Sequence, residues 1–223
     1  MVELGAEVPG YSVAVLTHFP QGLGKELDKA LTAKAKEQHL ALLNEALKQD
    51  DTAFEDFMAG VSSSLREKGV APDNATIPGW QNSYFTSATY TGSRPSANYF
   101  SIAYMIYWYN GGPHPNRAYK VWAYDVRNGK ELTLKDLFPS REGVESALAG
   151  LAITALSDRV KDLTEDMMDI NIRRISLTAN GLRIVYSPYE IASYAEGEFF
   201  VDIPLKALEP LGVNAAIWGR YSL

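Results

Sequence analysis

The sequence YWYNGGPHPNRAYKVWAYDVRNGKELTLKDLF, residues 107–138, contains the pattern that best predicts the fold. An aromatic run enters a Gly-Gly-Pro-His-Pro loop and resumes over residues 118–125, as is typical of two neighbouring strands. The dipeptide Asn128-Gly129 then predicts a hairpin with a type I′ turn, because that turn needs a positive φ at both central residues. Antiparallel hairpins are therefore expected to build this part of the chain.

Strand patterns extend to both sides of this stretch, with alternation of period two and many Tyr, Thr, Ile and Phe residues. The strand at residues 99–109 is apolar on both faces, so we expect a central strand covered on both sides; the alternative is a strand that displays aromatic side chains to a partner. The predicted strands are 10–19, 83–91, 99–109, 118–125, 131–133, 172–178, 182–187 and 199–203.

Helical patterns lie mainly before the strands. From Leu23 the apolar residues recur at spacings of four, which predicts an amphipathic helix of about six turns. A second helix is expected from a cap at Asp51 to Gly69, a third over residues 141–160, and a short one after Pro204. The order of elements predicts an α+β fold, in which a long N-terminal helix and a further helix pack on an antiparallel β-sheet.

Length and composition limit the class of protein. A chain of 223 residues buries enough apolar surface for one domain over 1–223, with a helical part at about 20–69 and a sheet-rich part at about 80–223. No apolar run reaches the roughly 18 residues of a membrane span. The net charge of -6 argues against nucleic acid as a partner, and the absence of cysteine excludes disulfides and thiolate metal sites.

Two loops carry the candidate functional residues. In the first, glycines allow close backbone approach and prolines stiffen an exposed tip that presents a histidine; the alternative is a hairpin connection whose histidine hydrogen-bonds locally. The second, residues 189–197, places two phenols and two carboxylates between strands; the alternative is that these groups cap backbone and pack. The candidate ligand-binding residues are Asn110, Gly111, Gly112, His114, Tyr189, Glu190, Tyr194 and Glu196.

No set of residues specifies a reaction. His114 with Glu190 would give an acid–base pair for an uncharacterised hydrolase or metal-dependent enzyme, but a glycosidase needs two carboxylates at a set separation and a zinc site needs three protein ligands. No catalytic residue, metal or cofactor is therefore predicted. His18 and His39 have no HxxxH or HxH spacing and are expected to be structural or solvated.

Several segments resemble, in the same order, a bacterial extracytoplasmic domain of unknown function. That domain is shared by the anti-sigma factor RsiV, which senses lysozyme, and by the N-terminal region of the peptidoglycan deacetylase PdaC. The segments that carry the resemblance are the GGPHP loop, the hairpin from Asn128 to Phe138, the YEIAxYAxG pattern from Tyr189 to Gly197, and an N-terminal strand that leads into a long helix.

The resemblance implies an extracytoplasmic location, either in the periplasm or on the cell surface, and a lipid anchor is one of the alternatives. It also implies that the signal sequence is not among these residues. It also implies a partner such as lysozyme or a peptidoglycan-related cell-wall component. Neither the sigma-binding segment and membrane span of RsiV-like proteins nor the deacetylase domain of PdaC-like proteins is found in residues 1–223. We therefore expect a non-enzymatic binding or sensor module of the cell envelope, without anti-sigma or deacetylase activity.

Overall fold

The computed structural model describes residues 2–8, 13–47, 84–109 and 114–219. The predicted helix at 51–69 and the candidate residues Asn110, Gly111 and Gly112 lie outside them. The strands are β1 (Val2–Val8), β2 (Val13–Phe19), β3 (Tyr84–Ser96), β4 (Tyr99–Tyr109), β5 (Asn116–Asp125), β6 (Lys130–Glu131), β7 (Ile175–Thr178), β8 (Gly181–Tyr186) and β9 (Phe199–Pro204). The α-helices are α1 (Lys25–Leu47), α2 (Leu134–Leu137), α3 (Val144–Leu156) and α4 (Leu205–Leu208).

The α+β class with mainly antiparallel strands is confirmed. The strands form a six-stranded sheet in the order β1-β2-β3-β4-β5-β6 and a three-stranded sheet in the order β7-β8-β9, rather than one sheet. The pairing of β2 with β3 is parallel, which the hairpin signals did not predict. No helix among the described residues is long and apolar enough to cross a membrane.

The hairpin after β5 is present, but the predicted type I′ turn is wrong. Asp125 pairs with Lys130, so residues 126–129 form the connection. Gly129 has a φ of 68° and donates its N–H to the carbonyl oxygen of Asp125 at 2.9 Å, whereas Asn128 is not in the positive-φ region. A four-residue connection is most often built around a type I turn, which does not need a positive φ at both central residues.

The first of two compact units comprises residues 1–90 and 105–117. Within it α1 packs on β2, and the predicted apolar stripe is confirmed where Leu27, Leu31 and Ala35 are fully buried. His39 is also fully buried and its Nδ1 lies 3.0 Å from the hydroxyl oxygen of Thr17. The expectation that His39 is structural is thus confirmed.

The second unit comprises residues 91–104 and 118–223, and it contains the larger core. Helix α3 packs on β9 through one face of its residues. The indole N–H of Trp218 donates to the carbonyl oxygen of Thr178 at 2.8 Å, which ties the described C-terminal end to β7. The core residues of these elements include Val144, Leu148, Ala152, Leu156, Leu177, Leu182, Ile184, Tyr186, Phe199, Val201 and Ile203.

The strand β4 is central, as predicted, since it lies between β3 and β5. Its two faces differ, however. Phe100, Ile102 and Tyr104 on one face are at most 5% exposed, whereas Ala103 and Met105 on the other face are half-buried. The expectation of a strand covered on both sides is therefore met fully on one face and partly on the other, where Ser101 is fully buried.

Gly181, in the turn between β7 and β8, is expected not to tolerate a larger side chain. Its φ is 151°, and a Cβ there would collide with the carbonyl oxygen of Ile203 and lie 2.8 Å from the amide nitrogen of Leu205. We expect Gly181→Ala to lower the free energy of unfolding by roughly 3 kcal/mol. Gly150→Ala is the matched control, because a Cβ at Gly150 in α3 has nothing within 4 Å, and it should raise stability by about 0.5–1 kcal/mol.

Urea denaturation followed by far-UV circular dichroism measures both changes. Equal stabilities for Gly181→Ala and the unsubstituted protein would contradict the close packing of β8 against the end of β9.

Candidate functional site

The connection from β8 to β9 places the second group of candidate residues, and we call residues 189–197 the tyrosine loop. The loop begins with a turn in which Glu190 donates its N–H to the carbonyl oxygen of Ser187 at 3.2 Å. It ends in a 3₁₀ turn, Tyr194–Glu196, which has a capping box: the carboxylate of Glu196 accepts from the N–H of Ser193 at 2.9 Å and from its hydroxyl at 2.8 Å. Both ends of the loop are therefore held by local hydrogen bonds.

Tyr189 has the most unusual conformation in the loop. Its φ is 70°, in the left-handed region, and 62% of its surface is exposed. Its ring contacts that of Tyr194, with centroids 5.4 Å apart and planes inclined by 33°. A residue with a Cβ in this region costs roughly 1–2 kcal/mol, which glycine would avoid. The exposed ring of Tyr189, in contact with the half-buried Tyr194, is thus maintained at an energetic cost.

Glu190 fixes the tyrosine loop through two hydrogen bonds to residues outside the loop. Its Oε2 accepts from Nη1 of Arg174 at 2.5 Å and from the backbone N–H of Ser187 at 2.5 Å. Arg174 also donates through Nε to Oδ2 of Asp169 at 3.0 Å, and its side chain is only 18% exposed. A largely buried guanidinium with two carboxylate partners therefore determines where the backbone before and after Tyr189 runs.

The electrostatics of this anchor follow from burial and pairing. Burial opposes the charge of Arg174, but the hydrogen bonds from Arg174 to Glu190 and Asp169 outweigh it, so the pKa of Arg174 is raised. The guanidinium carbon lies 5.6 Å from the ring centroid of Tyr186, whose hydroxyl is buried without a hydrogen-bond partner among the described residues. Burial also raises the pKa of Tyr186. Arg174 thus stays cationic and Tyr186 neutral at physiological pH.

Glu196 supplies the exposed charge of the loop. The hydrogen bond from the Ser193 hydroxyl, followed by that from the Ser193 N–H, lowers the pKa of Glu196 below its ordinary value of 4.5. Glu196 is in the same 3₁₀ turn as Tyr194. The loop therefore presents two phenol rings with an ionised carboxylate in the same short segment.

His114, the candidate from the first loop, lies in the first unit, whereas Glu190 lies in the second. His114 is half-buried and its Nδ1 donates to the carbonyl oxygen of the adjacent Pro115 at 3.0 Å. The described ranges, from 2–8 to 114–219, contain no group of three His, Cys, Asp or Glu side chains placed to hold a metal ion. The pairing of His114 with Glu190 in an enzyme stays a prediction.

Sequence reasoning missed the residues that support the loop. Arg174 and Asp169 precede the tyrosine loop in the chain by 15 or more positions, and nothing in their spacing indicates that they meet Glu190. Also missed was an ion pair between Arg183 on β8 and Asp202 on β9. The alternation FFVDIP in β9 does indicate that Phe200 and Asp202 face outward, so this second signal was available.

Residues 135–206, which include the tyrosine loop, match a family described as "Protein of unknown function (DUF3298)". The chain is also similar to the immunogenic protein MPB64 of Mycobacterium bovis and to the immunogenic protein MPT64 of Mycobacterium tuberculosis. Each of these is 24% identical over 173 residues, which cover 73% of this chain and 72% of the relative. The expected likeness to a domain of unknown function is confirmed for the matched residues.

Two crystal structures resemble this fold. A DUF3298 family member from Bacteroides fragilis superposes with a TM-score of 0.63 at 18% identity, covering 97% of this chain and 93% of that one. A DUF3298 family protein from Pseudomonas aeruginosa gives a TM-score of 0.55 at 20% identity, covering 95% of this chain and 92% of that one. At these identities the likeness shows a shared fold.

The capping box gives a pH prediction for the tyrosine loop. The folded-state pKa of Glu196 is lowered, so its contribution to stability is present above the unfolded pKa and is lost as the pH falls through the folded pKa. We expect Ser193→Ala to move the titration of Glu196 upward, toward 4.5, because one of its two donors is removed.

Carbon-13 NMR of the Glu196 side-chain carboxyl measures this titration. Ser193→Thr is the control, because it keeps the hydroxyl donor and should leave the midpoint near that of the unsubstituted protein. An unchanged midpoint in Ser193→Ala would show that the hydroxyl does not reach the carboxylate in solution.

Proposed function

We propose that this protein is a non-enzymatic binding module of the bacterial cell envelope, which contacts its ligand through the tyrosine loop. The observation that carries the proposal is Tyr189, an exposed aromatic residue in the left-handed region. Strained backbone of this kind persists only where the surroundings enforce it, and it is concentrated at binding and catalytic sites. Glycine would relieve the strain, so we attribute the presence of tyrosine at this position to what its side chain contacts.

The anchor beneath the loop supports this interpretation. The next residue, Glu190, is held by Arg174 and by the N–H of Ser187, so the turn that exposes Tyr189 is fixed before any ligand arrives. A preorganised loop loses little conformational entropy on binding. Tyrosine is also among the residues that contribute most to binding energy at protein interfaces, because it combines a large apolar ring with a hydroxyl.

The chemistry of the loop favours two classes of ligand. Two phenol rings with the ionised Glu196 suit either a basic protein surface or a sugar ring that stacks on tyrosine. The net charge of -6 attracts basic proteins. Lysozyme is the specific partner that we propose first, because the sequence resembles the domain that RsiV uses to sense lysozyme; a peptidoglycan-related ligand is the second.

An extracytoplasmic location is part of the same proposal. It is supported by the resemblance to the domain shared by RsiV and PdaC. The description of the two mycobacterial relatives as immunogenic proteins also fits proteins that meet the host outside the bacterial cytoplasm.

Calorimetric titration with an animal-type lysozyme tests the proposal. It requires two salt concentrations, because an acidic protein attracts a basic one nonspecifically and salt screens that attraction. Saturable binding in the micromolar range or tighter that survives the higher salt supports lysozyme as the partner. If lysozyme fails, soluble peptidoglycan fragments are titrated in the same way, and failure of both would overturn the binding proposal.

Substitution at Tyr189 separates binding from folding. We expect Tyr189→Gly to weaken ligand binding at least roughly tenfold, because an aromatic contact residue is removed. Stability should change by no more than about 1 kcal/mol, since relief of left-handed strain offsets the lost ring contact and the added freedom of glycine. Urea denaturation and calorimetry measure the two quantities on the same samples.

Tyr189→Phe is the matched control, because it keeps the ring and the strain and removes only the hydroxyl. Binding that is equal in the Gly and Phe variants would show that the tyrosine loop is not the contact surface.

A further inference from the structure

The strand β9 has an open edge in the three-stranded sheet. It pairs with β8 on one side, and the sheet order β7-β8-β9 places no described strand on the other. The amide of Leu205 donates to the carbonyl oxygen of Asn180 at 2.8 Å, one step beyond the pairing of Gly181 with Pro204. The hydrogen-bonded pairs of an antiparallel ladder alternate, so this bond fixes the direction of every backbone group in β9.

The backbone of Phe199, Val201 and Ile203 faces β8, because these residues are in phase with Leu205. The backbone of Phe200 and Asp202 therefore faces outward. Neither residue's N–H has a hydrogen-bond partner elsewhere in the described residues. Pro204 ends this edge, since it has no N–H to donate.

The side chains on this edge form a defined group. Phe200 is 41% exposed, and its ring contacts that of Tyr119 with centroids 5.4 Å apart. The guanidinium carbon of Arg183 also lies 5.6 Å from the centroid of the Phe200 ring. Its Nε and Nη2 donate to the two carboxylate oxygens of Asp202 at 2.7 and 2.8 Å. An exposed aromatic ring is thus bordered by a bidentate ion pair.

We propose that this edge pairs with the same edge of a second copy of the chain, β9 against β9, about a two-fold axis at Val201. In this register Phe200 of one copy lies opposite Asp202 of the other, and each pair exchanges two backbone hydrogen bonds. The six strands of the two small sheets become one continuous sheet. Such an interface is isologous, so a single set of residues completes both halves.

Charge selects this register over its neighbours. Moving the axis to Phe200 would place Asp202 opposite Glu198 of the other copy, and moving it to Asp202 would place the two Asp202 carboxylates opposite each other. Like charges that are directly opposite are unfavourable in a sheet. With the axis at Val201, Asp202 of the second copy lies opposite Phe200, and the guanidinium of Arg183 lies over the Phe200 ring. Arg183 is therefore close to two carboxylates, Asp202 of its own copy and Asp202 of the second copy.

The apolar face of β9 is compatible with this register. Phe199, Val201 and Ile203 alternate with the outward residues and are at most 3% exposed. The axis places Val201 opposite Val201 and Phe199 opposite Ile203 of the second copy, so the pairing brings no charged side chain of β9 to the covered face. No polar group from β9 is introduced there by the pairing.

Sedimentation equilibrium from micromolar to hundreds of micromolar protein tests the proposal, and the mass should rise from monomer to dimer. Asp202→Pro and Asp202→Ala both remove the carboxylate, but only proline removes the outward N–H. We expect the proline variant to raise the dissociation constant of the dimer roughly tenfold or more relative to the alanine variant, because two symmetric hydrogen bonds are lost. A monomer at all concentrations, or equal dimerisation of the two variants, overturns the proposal.

A second pair of variants keeps the test decisive if Asp202→Pro does not fold by circular dichroism. Phe200→Lys and Phe200→Glu remove the same ring, but they place opposite charges beside Asp202 of the second copy. The lysine variant should retain the dimer and the glutamate variant should lose it. Equal dimer fractions for these two variants would overturn the register, whatever the ligand-binding activity of the tyrosine loop.

Discussion

The register between β8 and β9 is the constraint on which the second unit depends. Leu182 pairs with Ile203 and Ile184 with Val201, so these apolar residues share the face that packs against α3. Arg183 pairs with Asp202 on the opposite face. A slip of one residue would exchange the two faces, because side chains alternate along a strand. The core, the ion pair and the direction of the open edge would all be lost together.

The tyrosine loop begins and ends in these same strands, so its position follows from that register. The loop is also fixed by the hydrogen bond between Glu190 and the guanidinium of Arg174. Burial alone would disfavour the charge on Arg174, but the pairing with Glu190 and Asp169 keeps the guanidinium protonated. Removing one partner of such a group is costly, since the remaining charge stays desolvated. The left-handed conformation of Tyr189 is thereby maintained by the contacts of its neighbour Glu190 with Arg174 and Ser187.

The sequence predicted elements more successfully than turns and contacts. The bounds of β4 and the stripe of α1 followed from periodicity, because each depends on residues close together in the chain. The turn at Asn128 was wrong in type, since its length is set by the pairing of Asp125 with Lys130 rather than by the dipeptide itself. Residues 172–174 were predicted as strand but form a 3₁₀ turn, which places Arg174 beneath the loop.

By itself the sequence determined the α+β class, the bounds of β4 and the apolar stripe of α1, since these follow from local composition and period. Only the tertiary structure decided that Glu190 serves as an anchor, that Tyr189 is strained and exposed, and that Arg183 meets Asp202. These features join residues far apart in the chain or depend on backbone angles. The type of a residue and its spacing in the sequence specify neither the long-range contacts nor these backbone angles, because the packing of whole strands against one another sets both.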